Sequence, residues 1–239
     1  NPFCVTIVMI RLVAPFVFLL ALAAALAFWP LYLSRSWLLI DGYTHLHAML
    51  GALWLLILLV QPLLIINGYK LAHRAVGRVA LWLAFAFVLS SFLLAHFRVS
   101  RLSDDEFAQN HIFTYLPIVV GFLFALACFL GYRWRQSTAV HSRFMVATGL
   151  LIIDPELARI LFFYLPPLPF EALYRAIPFG LIALAMFFLV RSIPAQVKGR
   201  ACFRNYCGLT VVCLVLFFVI PYTAAWMDFV LWFKALPLT

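Results

Sequence analysis

Seven blocks of apolar residues divide this chain, each near the ~20 residues that cross a hydrocarbon core as a helix. They fall at about 5–29, 43–66, 78–97, 111–132, 144–165, 172–190 and 207–229, with short polar segments between them. The punctuation agrees with a helical reading. Asn67-Gly68 supplies a C-cap for the second block, and Pro166-Pro167 cannot continue the fifth. Pro221 falls inside the seventh block and predicts a kink there. The first block carries Arg11 near its start. It is long for the core of a signal peptide and has no small-residue cleavage site behind it, so a retained helix is expected. Pro30 to Ile40 mixes apolar residues with Ser-Arg-Ser and is too short to cross, which fits an interfacial piece.

One design occurs twice. From Asp41 to Arg78, and again from His111 to Arg143, histidine stands at the entry and about twenty apolar residues follow. Gly-Tyr-Lys or Gly-Tyr-Arg comes next, then a histidine with arginine close behind. The repeat predicts a duplicated helix hairpin, helices two–three and four–five, in an all-α seven-helix bundle forming one polytopic domain over 1–239.

Charge fixes an expected orientation. The segments after helices two, four and six hold Lys70, Arg74, Arg78, Arg133, Arg135, Arg143, Arg191, Lys198, Arg200 and Arg204. Those after helices one, three and five hold Arg35, Arg98, Arg101 and Arg175, together with Asp41, Asp104, Asp105, Glu106 and Glu171. Ten basic residues against four, alternating side by side, place the N-terminus inside and the C-terminus outside.

Composition narrows the function classes. The 239 residues are 67% hydrophobic and 10% charged, more apolar than a water-facing domain requires. The net charge of +9 lies in clusters between apolar blocks, which argues for a bilayer and against nucleic acid. Cys4, Cys128, Cys202, Cys207 and Cys213 form no C-x-x-C pair, so neither a thiol redox motif nor a disulfide frame is expected.

The candidate chemistry is in six histidines and three charged residues. On the expected topology His45, His47, His96 and His111 lie near the outer face, and His73 and His141 near the inner one. His47 continues into Gly51, Trp54, Leu58 and Gln61 at helical spacing, the side expected to face the bundle. His45 shares a face with Asp41, four residues earlier, which could orient its ring. Imidazole suits haem iron, Zn, Cu and Fe. His47 with His111, and His73 with His141, would then hold haem b at two depths, with Gly51, Trp54 and Gln61 lining the outer site. Alternatively His45 or His47 with His96 and His111 would bind one transition metal, as in an open catalytic zinc site. Inside the fifth block, Asp154, Glu156 and Arg159 put charge deep in the membrane. That predicts either a locking Glu156–Arg159 pair or a proton relay.

The two-level histidine plan resembles cytochrome b561-type electron carriers in architecture. The combination of His47, Trp54, Gln61, His73, Gly77, His141, Met145, Asp154, Pro155 and Arg159 is similar to a widespread group of bacterial multi-pass proteins of unknown function, which implies a bacterial inner-membrane protein. Membrane hydrolases of the alkaline ceramidase and adiponectin receptor type carry a late His-x-x-x-His pair. The last block here contains no histidine. The leading expectation is a redox or metal-binding membrane protein, most simply a bis-histidine haem carrier working with redox partners. A cofactor-free accessory subunit of a larger membrane complex is the competing class, with a metallohydrolase or transporter behind both.

Overall fold

The computed structural model describes residues 2–239, with side chains from Leu12 onward. Cys4 and Arg11 therefore lie outside the described residues as side chains. The described chain is all-helical. Helix α1 (Pro2–Phe28) widens into a π turn (Trp29–Leu33), and a 3-10 turn (Trp37–Leu39) comes after it. It is followed by α2 (Gly42–Ile66), α3 (Lys70–Ser100), α4 (Asp104–Asn110), a 3-10 turn (His111–Thr114) and α5 (Tyr115–Arg133). The second half holds α6 (Thr138–Leu150), α7 (Ile153–Tyr164), α8 (Leu173–Arg191), α9 (Arg200–Leu216), a 3-10 turn (Ile220–Tyr222) and α10 (Ala224–Lys234). Six stretches are long and apolar enough to cross a membrane: Leu12–Leu33, Gly42–Ile66, Lys70–Ser100, Asp104–Arg133, Leu173–Arg191 and Arg200–Tyr222. The chain is a multi-pass membrane protein.

Several boundaries differ from the hydropathy reading. Helix α3 begins at Lys70 instead of near residue 78, so Lys70, His73, Arg74 and Arg78 are helical. A helix continues past the apolar limit when charged residues with good helix propensity can point to water. Asn67 and Gly68 do end α2: Gly68 takes φ +80, and the Tyr69 N–H returns to the Leu64 carbonyl at 2.8 Å. The fourth block is preceded by α4, whose capping box joins Ser103 and Glu106. At the other end of the chain, α9 starts at Arg200, before residue 207. Pro221 separates α9 from α10 outright, since it sits in a turn between them.

The fifth block differs most. It divides into α6 and α7 at Leu151–Ile152, neither half long enough to cross alone. The cause is Pro155, which has no N–H to return to the Leu151 carbonyl four residues back. The Ile152 N–H instead closes a tight turn on Gly149 at 3.1 Å.

Helix α6 is the centre of the bundle and packs against α1, α2, α5, α8 and α9. Association inside a bilayer depends on close packing more than on expelling water, and α6 supplies small residues for it. Ala147, Thr148 and Gly149 are buried, and Gly149 admits Leu58, Phe16 and Leu20 to van der Waals contact. Phe144 meets Phe203 and Tyr206 edge-on, with ring centroids at 5.0 and 5.4 Å. Around this axis α1 packs on α2 and α7, α2 on α3, α3 on α5, α7 on α8, and α8 on α9. Arg143, counted above among the loop charges, is buried in α6. It donates to the Ser192 hydroxyl at 3.1 Å and the Ser192 carbonyl at 3.3 Å, closing the end of α8.

Candidate functional site

The stripe on α2 faces neighbouring helices along its length. Trp54 and Leu58 are buried, and the Trp54 indole N–H donates to Thr148 Oγ1 at 3.2 Å. Gly51 lies against the Phe87 ring. The Gln61 amide donates to the His73 carbonyl at 3.3 Å. His47 stacks on Phe87 at 4.8 Å, and its Nδ1 is 3.0 Å from Ser90 Oγ. The Ser90 hydroxyl already donates to the Phe87 carbonyl at 2.7 Å, so His47 Nδ1 carries the hydrogen.

The same deduction settles three more tautomers, because a ring nitrogen beside a carbonyl oxygen must donate. His111 Nδ1–H donates to the Phe107 carbonyl at 3.0 Å, and its ring stacks on Phe107. His141 Nδ1–H donates to the Gly131 carbonyl at 2.8 Å. His73 Nδ1–H donates to the Gln61 carbonyl over a longer 3.4 Å. These four histidines share one state: Nδ1–H is held by a protein acceptor, and Nε2 keeps a lone pair with no hydrogen-bond partner among the described residues. That is how a metal-ligating imidazole is oriented and made more basic.

The other two histidines differ. His45 uses both nitrogens, accepting from the Tyr32 hydroxyl at 2.9 Å and donating to the Trp37 carbonyl at 3.1 Å, and it stacks on Trp37. Asp41 does not orient it. That carboxylate caps α2 instead, accepting from the Thr44 N–H and hydroxyl at 2.8 Å each. Burial alone would raise the Asp41 carboxyl, but the Thr44 hydrogen bonds and the Arg98 charge outweigh it and hold it below the ordinary value. His96 lies 2.6 Å from Thr239 Oγ1 through Nδ1, and its Nε2 is sealed without a partner. Among the described residues no group of three or more His, Cys, Asp or Glu side chains gathers as a metal would require.

Two of the four free imidazoles meet. The rings of His73 and His141 stand 6.4 Å apart at 86°. Each sits early in the second helix of its hairpin and ties back to the preceding helix, so the two tethers are equivalent. Among the described residues no ring contact joins His47 to His111, and each keeps its own aromatic partner. No family model matches this chain, and no curated protein or solved structure matches it. The geometry therefore carries the functional argument alone.

A second polar group lies around α7. Asp154 is paired with Arg175 of α8, whose Nη1 reaches both carboxylate oxygens at 3.1 and 3.0 Å. The expected Glu156–Arg159 pair is not formed. Both Glu156 oxygens are sealed without a hydrogen-bond partner, while Arg159 donates to the Pro155 carbonyl at 2.6 Å and lies 4.7 Å over the Phe28 ring. The backbone explains the difference: the Pro155 carbonyl and Phe28 draw the guanidinium toward α1. Sequence reasoning missed Arg175 because it was counted as an outer-segment charge. A signal was present, since Asp154 and Arg175 flank the Pro166-Pro167 break, twelve residues before it and eight after. Ser90, Thr148 and Phe28 gave no comparable signal.

Proposed function

We propose that this protein is a bis-histidine redox carrier of the inner membrane, holding haem b between His73 and His141, with His47 and His111 as ligands of a second site. The observation that carries the proposal is the His73–His141 pair. His73 and His141 would hold the group through their Nε2 atoms, each ring oriented by its Nδ1–H bond to a carbonyl. The 6.4 Å ring separation and the two Nε2 lone pairs support this reading. Haem supplies a one-electron iron couple when bound. The chain's own residues would set its properties: the Gln61 and Gly131 carbonyls orient the two imidazoles, and Phe87 and Phe107 stack on the histidines of the second site. Other membrane subunits or redox partners would exchange electrons with it at the two surfaces.

The membrane arrangement that accompanies this reading has seven crossings, the kinked α6–α7 run serving as the fifth. Its N-terminus is inside and its C-terminus outside, with two hairpins related by duplication. The alternating basic segments and the matching tethers of His73 and His141 support it, and cysteine accessibility scanning from each side would test it. For the cofactor, the test is a reduced-minus-oxidised spectrum of protein purified from haem-replete cells. His73→Ala and His141→Ala should each abolish the same α-band while leaving helix content intact. A colourless, metal-free preparation would refute the proposal and favour the cofactor-free subunit.

A further inference from the structure

The charged groups at the α7 end of the bundle do not cancel locally. Three arginines and three acids belong to this region: Arg98, Arg159 and Arg175, with Asp41, Asp154 and Glu156. Arg98 has Asp41 at 3.8 Å, and Arg175 has Asp154 at 3.0 Å. Arg159 and Glu156 remain, and they do not meet. The Glu156 carboxyl is closed in by protein on all sides. Arg159 is half-buried, and among the described residues the acceptor it has is the Pro155 carbonyl. A guanidinium has five N–H donors in a planar fork, so one carbonyl leaves most of the fork unsatisfied. Unlike the Glu156 oxygens, those free N–H groups are not sealed among protein atoms.

Arg175 and Arg98, and also the acids Asp154 and Glu156, lie within electrostatic reach of Arg159, but neither acid hydrogen-bonds it among the described residues. Asp154 is bound by Arg175 instead. Arginines within membrane helices are rare and normally face a partner. Phe28 supplies one face of that partner at 4.7 Å, but a ring face cannot accept the in-plane N–H groups. A group with two adjacent anionic oxygens can, and bidentate pairing with carboxylate or phosphate is what the fork is shaped for.

We infer that Arg159 is the receptor of an oxyanion-binding site, for a carboxylate or phosphate group, beside the end of α1. The anion satisfies the free edge of the guanidinium. Two sources share this chemistry: a free small oxyanion, and the phosphate of an anionic lipid headgroup. The site stands apart from the histidine reading and would survive its failure.

The test uses the full chain in uncharged detergent. Inorganic phosphate is titrated against chloride at matched ionic strength, and bicelles of phosphatidylcholine are compared with and without phosphatidylglycerol. The readout is the thermal unfolding midpoint, with calorimetric titration for phosphate. At least one probe should raise the midpoint. Arg159→Gln should weaken that probe about ten- to a hundredfold, the worth of one charge-assisted hydrogen bond. Arg101→Gln, a change at a surface cation lying over Phe97, should leave it intact. A response to phosphate identifies a free anion, and a response to phosphatidylglycerol alone identifies a lipid. If Arg159→Gln does not fold, Arg159→Lys keeps the charge but loses the fork and should still bind measurably more weakly. No response to either probe, or an equal response in the Arg159 variants, would overturn the site.

Discussion

Replacing Arg175 with methionine strands the Asp154 carboxylate, and the structure sets the size of the effect. The Asp154 side chain is 3% exposed and that of Arg175 22%. Removing one partner of a buried pair typically costs about 3–5 kcal/mol. Protonation caps the cost here: placing a proton on a carboxyl of ordinary pKa near 3.9 takes about 4 kcal/mol at pH 7. Arg175→Met should therefore destabilise by about 3–4 kcal/mol at pH 7, falling by up to ~1.4 kcal/mol for each unit the pH is lowered toward 5. Asp154→Asn leaves a guanidinium near the start of α8 that is partly exposed, so it should cost only about 1–2 kcal/mol. The double variant should cost less than the sum of the two, giving a coupling of about 2 kcal/mol. Reversible unfolding in mixed micelles with increasing dodecyl sulfate, followed by tryptophan fluorescence and far-UV circular dichroism, measures all three. The reasoning is refuted if Arg175→Met costs less than about 1 kcal/mol at pH 7, or if its cost does not change between pH 7 and 5.

Three further outcomes follow from single contacts. Trp54→Phe removes the buried N–H bond to Thr148 and should cost about 1 kcal/mol in the same titration. Adding Thr148→Val should cost less than its own single effect, because the shared bond is already gone. Gly199→Ala should cost about 2 kcal/mol or more, because Gly199 has φ +94 and a Cβ there would meet Trp134 ring carbons at 2.7–2.9 Å. Trp134→Ala should relieve the steric part only. For Asp41, the folded carboxyl lies below its ordinary 3.8. Its contribution is complete above that value and drains away as pH falls through the lower folded value. Asp41→Ala should flatten this acid limb of a stability-against-pH curve.

The apolar blocks were readable from sequence because hydrocarbon thickness sets their length, and Gly68 marked a boundary through a backbone angle that favours glycine. What periodicity missed was local competition for hydrogen bonds. The apolar run at 144–165 looks continuous, yet Pro155 leaves the Leu151 carbonyl without its helical donor and divides it. Lys70, Arg74 and Arg78 read as a loop only because hydropathy does not register a helix leaving the membrane. The same limit applies to side chains. Trp54 was placed on the bundle-facing stripe by spacing alone, whereas its partner Thr148 lies 94 residues away. The histidine tautomers depend on the Phe87, Phe107, Gln61 and Gly131 carbonyls and on the Ser90 hydroxyl, which no pattern of residue types reveals.

The Asp154–Arg175 pair also has a consequence for biosynthesis. The two residues are 21 apart in sequence, and a ribosome adding about 5–20 residues per second needs roughly 1–4 s to make that interval. During that time α7 carries an unpaired acid and a proline-broken hydrogen-bond ladder, so it is a poor candidate for release into lipid by itself. It becomes acceptable when the first turns of α8 bring Arg175 level with it. The two helices should therefore leave the translocation channel together, as one folded-back pair.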